Sequence, residues 1–454
     1  MNKIADIYGE VTIQEGALWG ANTQRSLENF PIGTEKMPKE FIEMLCELKR
    51  ACAVANQELK AVEYDKTLAI IKAIDELLMQ DFMQHFPLAI WQTGSGTQTN
   101  MNANEVIATL ASRILGSKVH PNDDVNHGQS SNDVYPTAMH MMAVNMIAQD
   151  LIPVLDKVII TLTQLKRENT LSYKLGRTHF QDATPMTFAQ EVSGWIVIFT
   201  DAKKQLEALL PFMRQLSIGG TAVGTGLNTI KGFDEQVVRA LSQSLKQEFT
   251  VCENKFFAMG FKDAYVSVHG ILNTLASNCL KLTNDIRFLS SGPQTGLQEI
   301  KLPANEAGSS IMPGKVNPTQ AESLAMVCVR VIGNHQTITL ANSHGNLQLN
   351  TYMPVMVYSM WQSIRLLSDG LDSFNTRCLA GIEVNTEKMM DNVTSSIMTA
   401  TFLNEKLGYD TTAKIVKEAY QDKKTLKEVV VSNGHMTAEE FDQYFDYSKM
   451  IQAK

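Results

Sequence analysis

Apolar residues recur at alternating steps of three and four along four long stretches of this chain, and that spacing leaves little choice of architecture. Val192, Trp195, Phe199, Ala202, Leu206, Leu209, Met213 and Leu216 form one series. Val268, Leu272, Leu275, Cys279, Leu282, Ile286 and Leu289 form a second. Leu151, Leu155, Val158, Leu162 and Leu165 form a third, and Met360, Ile364, Leu367, Leu371 and Phe374 a fourth. The alternation holds one stripe on one side of an α-helix and suits helices packed nearly parallel. The spacing therefore predicts an all-α fold around a bundle of helices longer than the globular average. The stripes read as core, so Trp195 and Phe199 are core residues and not cofactor contacts. Pro153 and Pro211 fall inside two of the series and predict a kink or a break at each.

The 454 residues suffice for two or three domains and for a large core without staples. A formal net charge of -8, with Lys and Arg spread along the chain, argues against nucleic acid or an anionic membrane surface as the partner. An anionic ligand would need a local cluster of donors. Cysteines at 46, 52, 252, 279, 328 and 378 show no CxxC spacing. They read as buried thiols of a reducing compartment, with no metal site among them. No long uncharged apolar run reads as a membrane span. "MNKIADIYGEV" lacks a signal-peptide core and is not an Arg/Ser-rich transit peptide, so the expected location is cytoplasmic. From about Thr386 the periodic pieces shorten ("TLKEVVV", "MTAEEFDQYF"), which reads as a small helical C-terminal domain, with "VSNGH" as a helix stop.

Between the stripes lie polar, Gly-rich stretches. "QTGSGTQTNMNANE" offers Ser95, Gly96, Thr97, Thr99 and Asn100; "HPNDDVNHGQSSND" offers Ser130, Ser131 and Asn132 just ahead of a helical pattern. Hydroxyls and free N–H groups at a helix start bind carboxylates or phosphates. The same residue types are also the preferred N-caps, and the spacing alone leaves both readings open. His179, in "GRTHFQDATP", is either a structural histidine or a proton carrier oriented by a carboxylate. "AGSSIMPGKVNPTQAE" (307–322) follows no helix or strand period. Gly308 and Gly314 permit motion, Pro313 and Pro318 limit helix, and Lys315 is its only cation. That composition suits a lid closing over an anion, and equally a surface loop.

With these stretches in view, the chain resembles the fumarase/aspartase superfamily. "GSSIMPGKVNP" (308–318) is similar to its signature, and "LWGANTQRSLENF", "KVHPNDDVN", "GRTHFQDATP" and "GGTAVGTGLNT" extend the likeness over nearly the whole chain in order. The likeness is greatest to the class II, metal-independent fumarase branch. It implies reversible anti addition of water to fumarate, giving L-malate through an aci-carboxylate intermediate, with no metal or organic cofactor. It implies three largely helical domains, at residues 1–129, 130–385 and 386–454. It also implies a homotetramer with a twenty-helix core, in which each active site draws on three subunits.

By the same resemblance Ser309 is the base for the carbon acid, His179 the acid on the hydroxyl side, and Glu322 the carboxylate that orients His179. Lys315 and Asn317 would hold the carboxylate that gains charge, with Ser310 and Val316 beside them. Thr97, Ser131, Asn132 and Thr178 would hold the substrate, with Ser95, Gly96 and Ser130 close by. His120, Pro121, Asn122 and Asp123 match a second dicarboxylate site outside the pocket, or serve only as an N-cap turn. His179 separates this chain from the aspartases, which carry Gln there. Gln348 and Met353 in "GNLQLNTYMP" are aspartase-like, which makes aspartate ammonia-lyase the alternative activity. A non-enzymatic structural oligomer is the third reading, against the retained site residues.

Overall fold

The computed structural model describes residues 2–452. The fold is all-α: seventeen α-helices among the described residues, with strands only in two-stranded ribbons. Four helices dominate, Phe188–Met213, Asp263–Leu289, Thr319–Ser343 and Met353–Arg377, each of 25 residues or more. At 1.5 Å per residue each runs to roughly 40 Å. Every residue of the four predicted stripes is buried except Leu209; the interior position one residue on belongs to Leu210. Pro153 is the second residue of the helix Ile152–Glu168, directly after a π turn, Ile147–Leu151, whose wider spacing absorbs the missing N–H. Pro211 lies two residues before its helix ends at Met213. The helix Thr319–Ser343 carries no predicted stripe. Its inward positions include His335 and Asn334, while Met326, Val329 and Leu340 stand exposed on it, so the apolar pattern runs round the helix.

The chain divides into two compact units. The first comprises Met1–Pro153, Ala202–Ala276 and Cys328–Ser368. In it the helix Lys39–Glu58 buries Phe41, Leu45, Leu48 and Cys52 and packs on the helices Ser131–Met146 and Phe233–Leu245. The second comprises Val154–Asp201, Ser277–Val327 and Asp369–Lys454. Its antiparallel ribbon pairs Tyr173–Thr178 with Gln181–Thr187, and the helix Thr386–Ser395 packs against the first of these strands. The short C-terminal helices enclose a core of Leu403, Ile415, Val429, Val430 and Phe441. Thr425 and Thr437 each begin one of them with a capping box, to Glu428 and Glu440. The helix Leu426–Ser432 stops at "VSNGH" as its sequence predicts, with Gly434 at φ 70°. All six cysteines are buried. Among the described residues no helix is long and apolar enough to cross a membrane.

Candidate active site

The candidate residues fall into two groups, one in each unit. In the first unit two helix starts are pressed together. The helix Thr97–Leu115 begins at Gly96, with φ 71°, and Gln92 Oε1 caps it by accepting the Thr99 N–H at 3.1 Å. A Cβ at Gly96 would lie 2.1 Å from the Tyr135 ring, and one at Gly94 would lie 1.5 Å from the Thr351 carbonyl oxygen. Only glycine permits both approaches, and Gly96 also supplies the left-handed backbone. Ser95 Oγ and Thr97 Oγ1 stand 2.8 Å apart at this start.

The helix Ser131–Met146 begins with Ser130 as N-cap, its box closed by Asp133. The buried Asp133 carboxylate accepts the N–H groups of Ser130, Gly219 and Thr221, each at 2.9 Å. It thereby stitches the "GGTAVGTG" loop to the helix start. Burial pushes this carboxyl up to about 6, against the pull of those three donors. Asn132 donates to the Ala222 carbonyl at 2.8 Å, and Ser131 Oγ accepts from Asn100 Nδ2 at 3.1 Å. The two readings of these stretches therefore divide by residue: Ser130 is a cap, whereas Ser95 and Thr97 pair with each other and leave capping to Gln92. His120 caps the π turn Pro121–Val125, its Nδ1 accepting from Asn122 N and Asp123 N.

In the second unit the groups sit on exposed, turning backbone. His179 and Phe180 are the two central residues of the ribbon's turn, with φ of 57° and 60°. Turns with both central residues left-handed normally use Asn-Gly, and each side chain held there costs on the order of 1 kcal/mol. The turn holds because its base is anchored. Glu299, fully buried, takes Arg177 at 2.7 Å and Lys174 at 3.0 Å, while Asn392 donates to it at 3.1 Å. Lys174 also meets Glu191 at 2.6 Å. A cavity of about 320 Å³ lies against this turn, lined in part by His179 and Phe180 and by the ion-paired Lys174, Arg177, Glu191, Lys281 and Asp285.

The stretch 307–322 is a non-helical loop up to Pro318, and the helix Thr319–Ser343 follows. Ser309 Oγ accepts the N–H groups of Ile311 at 3.2 Å and Met312 at 3.0 Å. Asn317 Nδ2 donates back to the Gly308 carbonyl, and a Cβ at Gly308 would lie 2.0 Å from the Lys315 carbonyl oxygen. Ser310, Lys315 and Val316 are exposed, as are Thr178, His179 and Glu322. Within the described residues no hydrogen bond or ion pair joins His179 to Glu322, and none joins Lys315 to a carboxylate. No group of three or more His, Cys, Asp or Glu among them could hold a metal ion.

Sequence reasoning missed the buried charges, Glu299 and Lys49 among them. Lys49 had a signal: it shares the apolar face of its helix with Leu45, Leu48 and Cys52. Glu299 had none, since a single Glu in "GLQEIKLP" carries no period.

Comparison with known proteins bears on family and fold. Residues 9–333 match a family model described as lyase, and residues 400–452 match one described as the fumarase C C-terminus. A class II fumarate hydratase of Helicobacter pylori is 49% identical over 455 residues, covering 99% of this chain and 98% of the relative. One from Myxococcus xanthus is 49% identical over 445 residues, covering 97% and 96%. The crystal structure of a class II fumarase from Schistosoma mansoni superposes with a TM-score of 0.96 at 40% identity, covering 99% of this chain and 98% of that one. Full-length identity of this order, the lyase model over most of the chain, and the shared fold together assign this chain to the class II fumarate hydratase family.

Proposed function

We infer that this chain is a hydro-lyase that adds water reversibly across the double bond of fumarate, giving L-malate. The observation that carries the reading is the full-length identity to fumarate hydratases. Taking the proton from carbon 3 of malate is hard because the adjacent carboxylate is already negative. The aci-carboxylate that forms carries further charge, and fixed donors aimed at it are the main source of rate. In this reading Lys315 and Asn317 supply them, with Ser310 and Val316 beside them, and Ser309 removes the proton. The two backbone N–H groups on Ser309 Oγ support that role, since they would favour its alkoxide. His179, oriented by Glu322, moves the proton on the hydroxyl side through a water. Thr97, Ser131, Asn132 and Thr178 hold the substrate, near Ser95, Gly96 and Ser130.

The same reading makes the protein a cytoplasmic homotetramer whose sites each draw on three subunits, with domains divided at 129/130 and 385/386. Exposed apolar side chains on the long helices support assembly: Val197, Met326, Val329 and Leu340 are each more than half exposed in the single chain. It also takes His120, Pro121, Asn122 and Asp123 as a second dicarboxylate site, supported by the outward-facing turn that His120 caps. The test is a pair of assays, fumarate in ammonia-free buffer and fumarate with ammonium, following fumarate absorbance and malate together. Malate formation without ammonium is expected; loss of fumarate only when ammonium is present would overturn the reading in favour of an ammonia-lyase.

A further inference from the structure

A fully buried ammonium stands behind the start of the helix Ser131–Met146. Lys49 donates to Asn126 Oδ1 at 2.8 Å and to Gln129 Oε1 at 2.9 Å, and forms no ion pair among the described residues. A charge held by neutral amides is costly to bury, and an apolar residue would serve packing better on a face shared with Leu45, Leu48 and Cys52. Burial pushes this ammonium down to about 8.

What the ammonium does supply is polarity. It has donors and no acceptor, so Asn126 turns its carbonyl oxygen toward it, an orientation also held by Asn126 Nδ2 donating to the Gln129 carbonyl at 3.2 Å. The same oxygen accepts from Asn100 Nδ2 at 3.3 Å, and that NH₂ group also donates to Ser131 Oγ at 3.1 Å. Turning the Asn100 amide over would set two carbonyl oxygens against each other. Its present orientation instead leaves Asn100 Oδ1 buried with no partner among the described residues, the cost of keeping the donor on Ser131. With its oxygen already accepting from Asn100, the Ser131 hydroxyl has its proton free to donate elsewhere.

We propose that Lys49 is a positioning residue which, through Asn126 and Asn100, fixes the Ser131 hydroxyl as a donor to the substrate carboxylate. The proposal rests on the reading of Ser131 as a substrate contact. Without Lys49 only the Asn126–Gln129 bond opposes a turn of the two amides; once they turn, Ser131 can donate inward, and its lone pairs then face the carboxylate.

The experiment is a double-mutant cycle in the full-length protein. KM and kcat for fumarate hydration, and binding of the non-reacting dicarboxylate succinate, are measured for Lys49→Met, Ser131→Ala and the double variant, with thermal stability recorded for each. Ser131→Ala is expected to raise KM about tenfold, as for loss of one hydrogen bond to a charged group. Lys49→Met is expected to raise KM and weaken succinate at least as much, with kcat changed less. In the Lys49→Met background Ser131→Ala then adds little. Full additivity would overturn the proposal while leaving Ser131 on the substrate. An unchanged KM in Ser131→Ala alone would overturn the underlying contact as well. Should Lys49→Met not fold, Asn100→Asp decides: its carboxylate only accepts, so Ser131 must donate inward and KM should match that of Ser131→Ala. A wild-type KM in Asn100→Asp would overturn the proposal.

Discussion

The two units treat their polar groups in opposite ways. In the first, hydroxyls and amides sit at helix starts pinned by glycine contacts, a buried carboxylate and a buried ammonium. In the second, His179 stands at the tip of a turn in left-handed backbone, and Ser309, Lys315 and Asn317 lie in a Gly- and Pro-punctuated loop. Satisfied groups on rigid elements can hold a small dianion at little reorganisation cost. Exposed groups on strained or hinged backbone can approach and leave it. Under the proposed function this contrast becomes a division of labour: the first unit supplies binding groups only, and the second brings the proton-moving groups together with Thr178, Lys315 and Asn317.

The largest effect should come from the second unit. Ser309→Ala and His179→Asn are each expected to lower kcat by about 10²–10⁴-fold, with size-exclusion mass and stability unchanged. Near-normal turnover in both would erase the division. A smaller effect tests what holds the turn. Glu299→Gln leaves Arg177 and Lys174 without their shared buried anion and should cost about 3 kcal/mol in urea unfolding. If the anchor matters to His179, kcat falls as well; an unchanged kcat would make Glu299 a matter of stability alone. The smallest is in the first unit. Gly96→Ala forces a Cβ toward the Tyr135 ring in left-handed backbone and should cost about 2 kcal/mol. It should raise KM more than it lowers kcat, the reverse of the loop variants. Equal effects on both would blur the contrast between the units.

How much was legible follows the same line. The three/four stripes located the helices Phe188–Met213, Asp263–Leu289 and Met353–Arg377 because their inward faces are mostly apolar. The helix Thr319–Ser343 escaped because exposed Met326, Val329 and Leu340 blur its stripe, and a periodicity rule presumes a wet outer face. The ribbon turn escaped because its two residues are His and Phe, where turn chemistry asks for Asn-Gly. In the polar stretches, residue types pointed to helix starts and loops correctly. What they could not yield was pairing: the contacts among Lys49, Asn126, Asn100 and Ser131 are long-range, and no local spacing encodes them.

The proposed reading stands or falls on Ser309 and His179 reaching one dicarboxylate from different subunits. Subunit complementation tests it most directly. Ser309→Ala and His179→Asn chains, each inactive alone, are unfolded together, refolded as mixed oligomers and assayed for fumarate hydration. The account predicts activity well above that of either parent, because some sites then combine an intact Ser309 from one chain with an intact His179 from another. Activity no greater than the sum of the two parents, in oligomers shown to be mixed, would contradict it.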